Sequence, residues 1–251
     1  MIPLSDDNPT RKKPYVVYML VILNIVVYFM NNVGAPGLGR LWNFSMVPYS
    51  VIHDVRVVPL INQFGQIAGF QKDFAVGPHP QWITIFTSMF MHGGFMHIAM
   101  NMLYLWIFGN NVEDALGHIK FLLFYIACGV LAAVAHIASD MNSMIPTVGA
   151  SGAIAGVLGA YLLLYPRARV RTLIFLGWFV DYAEIPAIYV LGVWFLLQLT
   201  GVVGSAGSVG GGVAYWAHIG GFIAGLIVIY IIGGRRLAQR SRRHLEPYDD
   251  V

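Results

Sequence analysis

Two polar residues stand inside long apolar stretches of this 251-residue chain, in Val148-Gly149-Ala150-Ser151-Gly152 and in Ala217-His218-Ile219-Gly220-Gly221. Burying such a group without a partner costs about 1 to 3 kcal/mol, so the serine and the histidine are expected to partner one another. A hydroxyl within reach of an imidazole is the smallest nucleophile-plus-base unit able to hydrolyse a peptide bond. His97 and Asn101 form a second pair, four residues apart and hence on one helix face. Both can donate hydrogen bonds, and donors fixed near a nucleophile are what an oxyanion needs, each worth roughly 3 to 4 kcal/mol in acyl transfer. Each residue alone has a plainer reading: a serine bonded to its own backbone, a packing histidine, a helix-to-helix hydrogen bond. Their joint appearance favours chemistry.

Composition decides what must position them. The chain is 57% hydrophobic and 11% charged, with mean hydropathy +0.67, where soluble domains carry roughly 25% charge. That describes an all-α polytopic membrane protein whose partner is the lipid bilayer. The net charge of +3 comes from basic residues that flank apolar runs instead of forming one stripe, which excludes a nucleic-acid partner. Cys128 is the only cysteine, so neither an intramolecular disulfide nor a CxxC metal site exists. His92, His97 and His218 lack neighbouring Cys or carboxylate ligands in a recognisable arrangement, so no metal and no organic cofactor is expected.

Stretches near the roughly 20 residues that cross a bilayer run over Tyr15–Val33, Gly94–Gly109, Ile119–Ile137, Val148–Tyr165, Pro186–Val203 and Val213–Ile232. Six helices are predicted. Trp82–Met91 is read as a separate interfacial segment, cut from the second span by His92-Gly93-Gly94. The first span lacks a small-residue cleavage site and reads as a retained anchor. Residues 1–14 are then a cytosolic tail, 15–234 the membrane core and 235–251 a basic cytosolic tail. With the N-terminus inside, the cytosolic set is Arg11, Lys12, Lys13, Lys120, Arg167, Arg169, Arg171, Arg235, Arg236, Arg240, Arg242 and Arg243, against Arg40, Arg56 and Lys72 outside. This satisfies the positive-inside rule. It also places His97, Asn101, Ser151 and His218 at one depth, within about 10 Å of the outer helix ends at 1.5 Å per residue.

Small residues should let the relevant helices approach. Gly152, Gly156 and Gly159 stand at i, i+4 and i+7, and His218, Gly221 and Gly225 at i, i+3 and i+7. Such stripes give membrane helices a face for close contact, since apolar area alone gives little drive inside lipid.

At these residues the chain resembles the rhomboid intramembrane serine proteases. The family's glycine-any-serine-glycine element is similar to Gly149-Ala150-Ser151-Gly152, and its alanine-histidine element with trailing glycines to Ala217, His218, Gly221 and Gly225. Its histidine and asparagine four apart match His97 and Asn101, and a glutamate and glycine four apart, placed in the loop after the second helix, match Glu113 and Gly117. The resemblance covers about Tyr15 to Gly234, with a six-helix core. It implies that Ser151 attacks the scissile carbonyl of a substrate transmembrane segment and that His218 takes its proton. It implies further that His97, Asn101 and the Ser151 amide hold the oxyanion, and that substrate enters sideways by a gate around the fifth helix.

The implied Ser/His dyad has no acidic third member, and two departures from the family's pattern matter. No acid stands at the depth of the pair: Asp140 falls in an outer loop, and Asp181 and Glu184 are expected near the inner end of the fifth helix. Turnover should therefore be slow. A Trp-Arg pair frequent in the family is replaced by Gln81-Trp82-Ile83-Thr84. Where some members pack an aromatic ring on the histidine, four residues after the serine, this chain has Ala155, so another group must support His218.

The outer connection from Gly34 to Gln81 is long and apolar and is expected to lie on the membrane. Gly204–Gly212 is glycine-rich and is expected to cap the site as a mobile loop. Cleavage is expected near the outer face, in segments with small or helix-breaking residues that unwind. Short tails and the lack of a transit peptide point to a prokaryotic plasma membrane. Two rivals stand beside the protease: a non-catalytic rhomboid-like protein that binds transmembrane segments, and a small transporter, whose polar residues would line a path across the whole bilayer.

Overall fold

Inside lipid a backbone amide has no water to bond, so an apolar run is stable there only when it bonds within itself as a helix. Each of the six predicted spans contains one. A computed structural model describes residues 1–32, 41, 43–62, 67–73, 80–176, 179–205, 213–234 and 236–237. In chain order they form strand β1 (Ile2–Asp6), helix α1 (Tyr15–Asn32), the short helix α2 (Pro48–His53) and strands β2 (Arg56–Ile61) and β3 (Ile67–Asp73). Then come helices α3 (Phe95–Leu116), α4 (His118–Ser139) and α5 (Ser151–Leu164), strands β4 (Arg169–Leu176) and β5 (Phe179–Pro186), and helices α6 (Ala187–Ser205) and α7 (Tyr215–Ile231).

Among the described residues, α4 and α6 are long and apolar enough to cross a membrane on their own. The Gln81–Phe90 segment and α3 together make a third candidate, bent by 79° at the glycine break. The apolar helices α1, α5 and α7 are shorter; at 1.5 Å per residue the 14 residues of α5 reach only about 21 Å of a hydrocarbon core about 30 Å thick.

The all-α expectation needs correction. Beyond the helices the chain pairs its backbone in two small sheets: an antiparallel β1-β4-β5 sheet and a β2-β3 hairpin. In β4 the alternation is plain, with Val170 and Thr172 buried and Arg169 and Arg171 exposed, the pattern of a strand with one covered face. Asp181 and Glu184, expected near the inner end of the fifth helix, are exposed residues of β5, the strand that leads into it. Residues 1–14, read as a tail, contribute β1 to this sheet.

The second span is also longer than predicted. It continues as α3 past Gly109 to Leu116, so Glu113 belongs to the helix and not to the following loop. Gly117 closes it at φ +79, where glycine is favoured, and donates its N–H to the Glu113 carbonyl at 2.7 Å. The polar end of α3 is buried because the N-terminal segment needs it: Glu113 accepts the N–H of Val16 at 3.0 Å and of Val17 at 2.8 Å, two of the unpaired donors at the start of α1. Asp114 accepts from the Lys12 amide and the Arg11 side chain, and Asn8 donates to Asn111.

Nearly every residue of α5 is buried, because this helix runs through the middle of the bundle against α3, α4 and α7. Residue 33 at the end of the first span, residues 34–40, 42, 63–66 and 74–79 of the outer connection, residues 206–212 of the expected cap, and residues 235 and 238–251 of the basic tail lie outside the described residues.

Candidate active site

Ser151 is the first residue of α5, where the chain emerges from an extended approach and turns into the helix. The approach is held from both sides. Met46 and Thr147 exchange backbone hydrogen bonds of 3.0 and 2.7 Å, and the Gly149 N–H donates to the Ser88 carbonyl at 2.9 Å. The Thr147 hydroxyl lies 2.9 Å from Nε2 of His136 on α4. Gly149 adopts φ +124, a conformation that side chains rarely take, and a Cβ there would stand 2.7 Å from His97 Nε2 and 3.6 Å from Asn101 Nδ2. Two residues before the serine, the chain thus lies against the two donors of α3.

On the opposite side, His218 stands in the first turn of α7. Its Nε2 is 2.8 Å from Ser151 Oγ, and the hydroxyl donates where that nitrogen carries the lone pair. The glycine stripes meet beneath them: a Cβ on Gly221 would overlap the Gly152 carbonyl, and one on Gly159 the backbone of Phe222. No side chain separates the two backbones there, which lets the residues at the N-terminal ends of the two helices touch.

Nδ1 of His218 is engaged too, 2.8 Å from Oε1 of Gln198 on α6. Trp194, one turn earlier on α6, has its ring centroid 5.8 Å from that of His218. These two supply the support that Ala155 cannot. Gln198 is the site residue missed in the sequence; the available signal was that it is the only amide side chain in the fifth span, four residues after a tryptophan. Both ring nitrogens of His218 are therefore taken by neutral groups, and no carboxylate is among its hydrogen-bond partners in the described residues.

Asn101 is buried at 8% exposure, and its Nδ2 has no partner among the described residues. A buried N–H without an acceptor costs about 1 to 3 kcal/mol, and the group lies against the Gly149 backbone beside Ser151. His92, from the glycine break before α3, is buried at 3% and rests its ring 5.1 Å from that of His97. A cavity of about 30 Å³ lined by Ser151, Gly149, Gly152, Ala217, Met46 and Ser88, among others, has room for one or two water molecules. Thr84 and Gln81, which stand where the Trp-Arg pair was sought, bond to one another through the Thr84 hydroxyl and the Gln81 carbonyl at 2.6 Å, and the Gln81 N–H donates to Asp54.

The sequence model of the Rhomboid domain matches residues 79–235, which hold α3 to α7 and with them His97, Asn101, Ser151, Gln198 and His218. The chain is 30% identical over 179 residues to Rhomboid protein 1, mitochondrial, of Saccharomyces cerevisiae, covering 69% of this chain and 47% of that protein. It is 27% identical over 221 residues to Rhomboid protease GluP of Bacillus subtilis, covering 88% of this chain and 35% of that protein. It is 26% identical over 183 residues to Rhomboid-like protein 11, chloroplastic, of Arabidopsis thaliana, covering 69% of this chain and 60% of that protein. The chain thus spans from about a third to three fifths of the length of these relatives. With the domain matched over more than half of its residues, this chain belongs to the rhomboid family of membrane proteins.

Proposed function

We propose that this protein is an intramembrane serine endopeptidase that cleaves transmembrane segments of other membrane proteins near the outer face of the bilayer. The observation that carries the reading is the 2.8 Å contact between Ser151 Oγ and His218 Nε2, made between two different helices. Ser151 attacks the scissile carbonyl carbon while His218 accepts its proton. The resulting tetrahedral oxyanion takes hydrogen bonds from Asn101 Nδ2, the His97 ring and the Ser151 amide. Collapse of the intermediate breaks the C–N bond, and His218 returns the proton to the leaving amine. Water then repeats the sequence on the acyl-enzyme, with His218 again as base.

Several features support this assignment. The unpaired donor of Asn101 gains an acceptor only when an oxyanion forms, so its interaction favours the transition state over the ground state. GluP carries the name of a protease. All six helices cross the bilayer in this reading, with both termini in the cytosol of a prokaryotic cell, which puts Ser151 and His218 toward the outer face. A segment with small or helix-breaking residues is the preferred substrate, because an intact helix hides its peptide bonds.

The test is cleavage in reconstituted liposomes of a single-span substrate carrying a Gly- or Pro-containing segment, with the cut site located by mass spectrometry. Wild type should cut within the outer part of the span, and Ser151→Ala should leave the substrate intact. Equal cleavage by the two proteins would refute the proposal.

A further inference from the structure

We propose that Gln198 is the positioning residue of this site, taking the orienting part of the carboxylate in a serine-histidine-aspartate triad without its charge. Its consequence for catalysis rests on the proteolytic reading above; the contact itself does not.

The argument runs through the two ends of one amide. Gln198 Nε2 lies 3.1 Å from the carbonyl oxygen of Trp194, one turn back on α6. A carbonyl can only accept, so the NH₂ end of the amide must face it. The other end, Oε1, is thereby turned toward His218 Nδ1 at 2.8 Å. Oε1 can only accept, so Nδ1 must carry the proton. In the neutral ring the remaining nitrogen, Nε2, is then the bare one, and it is the atom 2.8 Å from Ser151 Oγ. A backbone carbonyl on α6 thus sets, through one side chain, which histidine nitrogen can act as a base. The tautomer is chosen before any substrate arrives.

Burial makes that choice firm. Gln198 is 8% exposed, and a buried amide that turned over would place its oxygen against a carbonyl and its NH₂ against an N–H. Trp194 lies beside both partners, with its ring plane 35° from that of His218, so the imidazole is held against swinging as well as against changing tautomer.

What the glutamine does not do is equally specific. In a triad the acid fixes the tautomer and also stabilises the imidazolium. A neutral amide performs the first task and offers only its dipole for the second. Removal of Gln198 should therefore cost orientation alone, about 10- to 100-fold in kcat, well short of the roughly 10⁴-fold loss caused by a wrong tautomer in a charged triad.

The experiment uses the full chain with ¹⁵N-labelled imidazoles in detergent micelles, at a pH where His218 is neutral, and assigns the His218 signals by difference from His218→Ala. Wild type should show a protonated Nδ1 and a bare, pyridine-like Nε2. Gln198→Met, similar in volume but lacking the acceptor, should give mixed tautomers and the stated fall in kcat with KM within about twofold. A protonated Nε2 in wild type overturns the proposal without reference to any Gln198 variant. Unchanged tautomer and unchanged kcat in Gln198→Met overturn it as well. Loss of cleavage in wild type with the protonated Nδ1 intact overturns the proteolytic reading instead.

Discussion

Gly225 and Gly156 meet backbone against backbone, so closely that a Cβ on Gly225 would overlap the Gly156 carbonyl oxygen. One turn nearer the N-terminal ends of the two helices Gly221 meets Gly152 in the same way, and at the end of this series His218 meets Ser151. The α5–α7 crossing is the ruler that sets the reach between hydroxyl and imidazole. Whatever separates those two backbones separates the pair.

Gly225→Ala should therefore act at a distance. The added methyl must displace the Gly156 carbonyl, and overpacking of this kind costs about 1 to 3 kcal/mol. Thermal unfolding in detergent should show a lowered Tm, and cleavage should fall although the substitution lies two turns from His218. Gly192→Ala on α6 is the control, since a Cβ there meets nothing within 4 Å. Equal behaviour of the two variants would show that the crossing does not set the geometry.

Asn101→Ala should lower kcat by about 10²- to 10³-fold, the range for loss of one oxyanion donor, while KM stays near its wild-type value. Among the described residues Nδ2 has no partner to lose, so Tm should change little. Steady-state kinetics on a transmembrane substrate in liposomes checks this; a raised KM with unchanged kcat would assign Asn101 to substrate binding instead.

The first turn of α1 hangs on one carboxylate. Glu113 is 1% exposed and accepts the Val16 and Val17 amides, and His118 Nδ1 lies 2.5 Å from it. Glu113→Ala leaves two buried donors unpaired and should destabilise the protein by about 3 kcal/mol. Glu113→Gln, which keeps one acceptor oxygen, should cost less. Titration of the unfolding of both variants with denaturing detergent measures the order, and a cost for Gln equal to that for Ala would contradict it.

At the other end of β1, burial raises the Asp6 carboxyl from its ordinary 3.8 to about 6, against the lowering effect of the hydrogen bond from the Tyr161 hydroxyl. A group whose folded-state value is raised is more protonated folded than unfolded between those limits, so stability falls as pH rises through that window. The contribution is fully present below about 3.8 and is lost above about 6. Thermal melts from pH 4 to 7 should show this slope in wild type and lose most of it in Asp6→Asn. The same slope in both would remove Asp6 as its source.

The pattern of what could be read beforehand has a physical cause. Ser151 and His218 stood out because a polar atom in an apolar run demands a partner, and the glycines gave the faces on which the partners could meet. Gln198 drew no attention because an isolated amide is neutral and fits no motif; its meaning lies in Trp194 and His218, which only the fold brings together. The extent of α3 differs from the expectation because Asn110, Asn111, Glu113 and Asp114 end the apolar run without ending the helix, the last three being buried by the N-terminal segment about a hundred residues away in sequence. β4 and β5 were hidden for the opposite reason. Their alternation sits between two apolar spans and blends into them, so a window tuned to helices passes over it.

The central claim is that Ser151 is a nucleophile activated by His218. A fluorophosphonate probe forms a covalent adduct only with an activated serine, and peptide mass spectrometry of the labelled full chain in micelles identifies which one. The expected result is a single adduct on Ser151 that disappears in His218→Ala while that variant keeps its wild-type Tm. An unmodified Ser151, or labelling of Ser151 that is undiminished in His218→Ala, would contradict it.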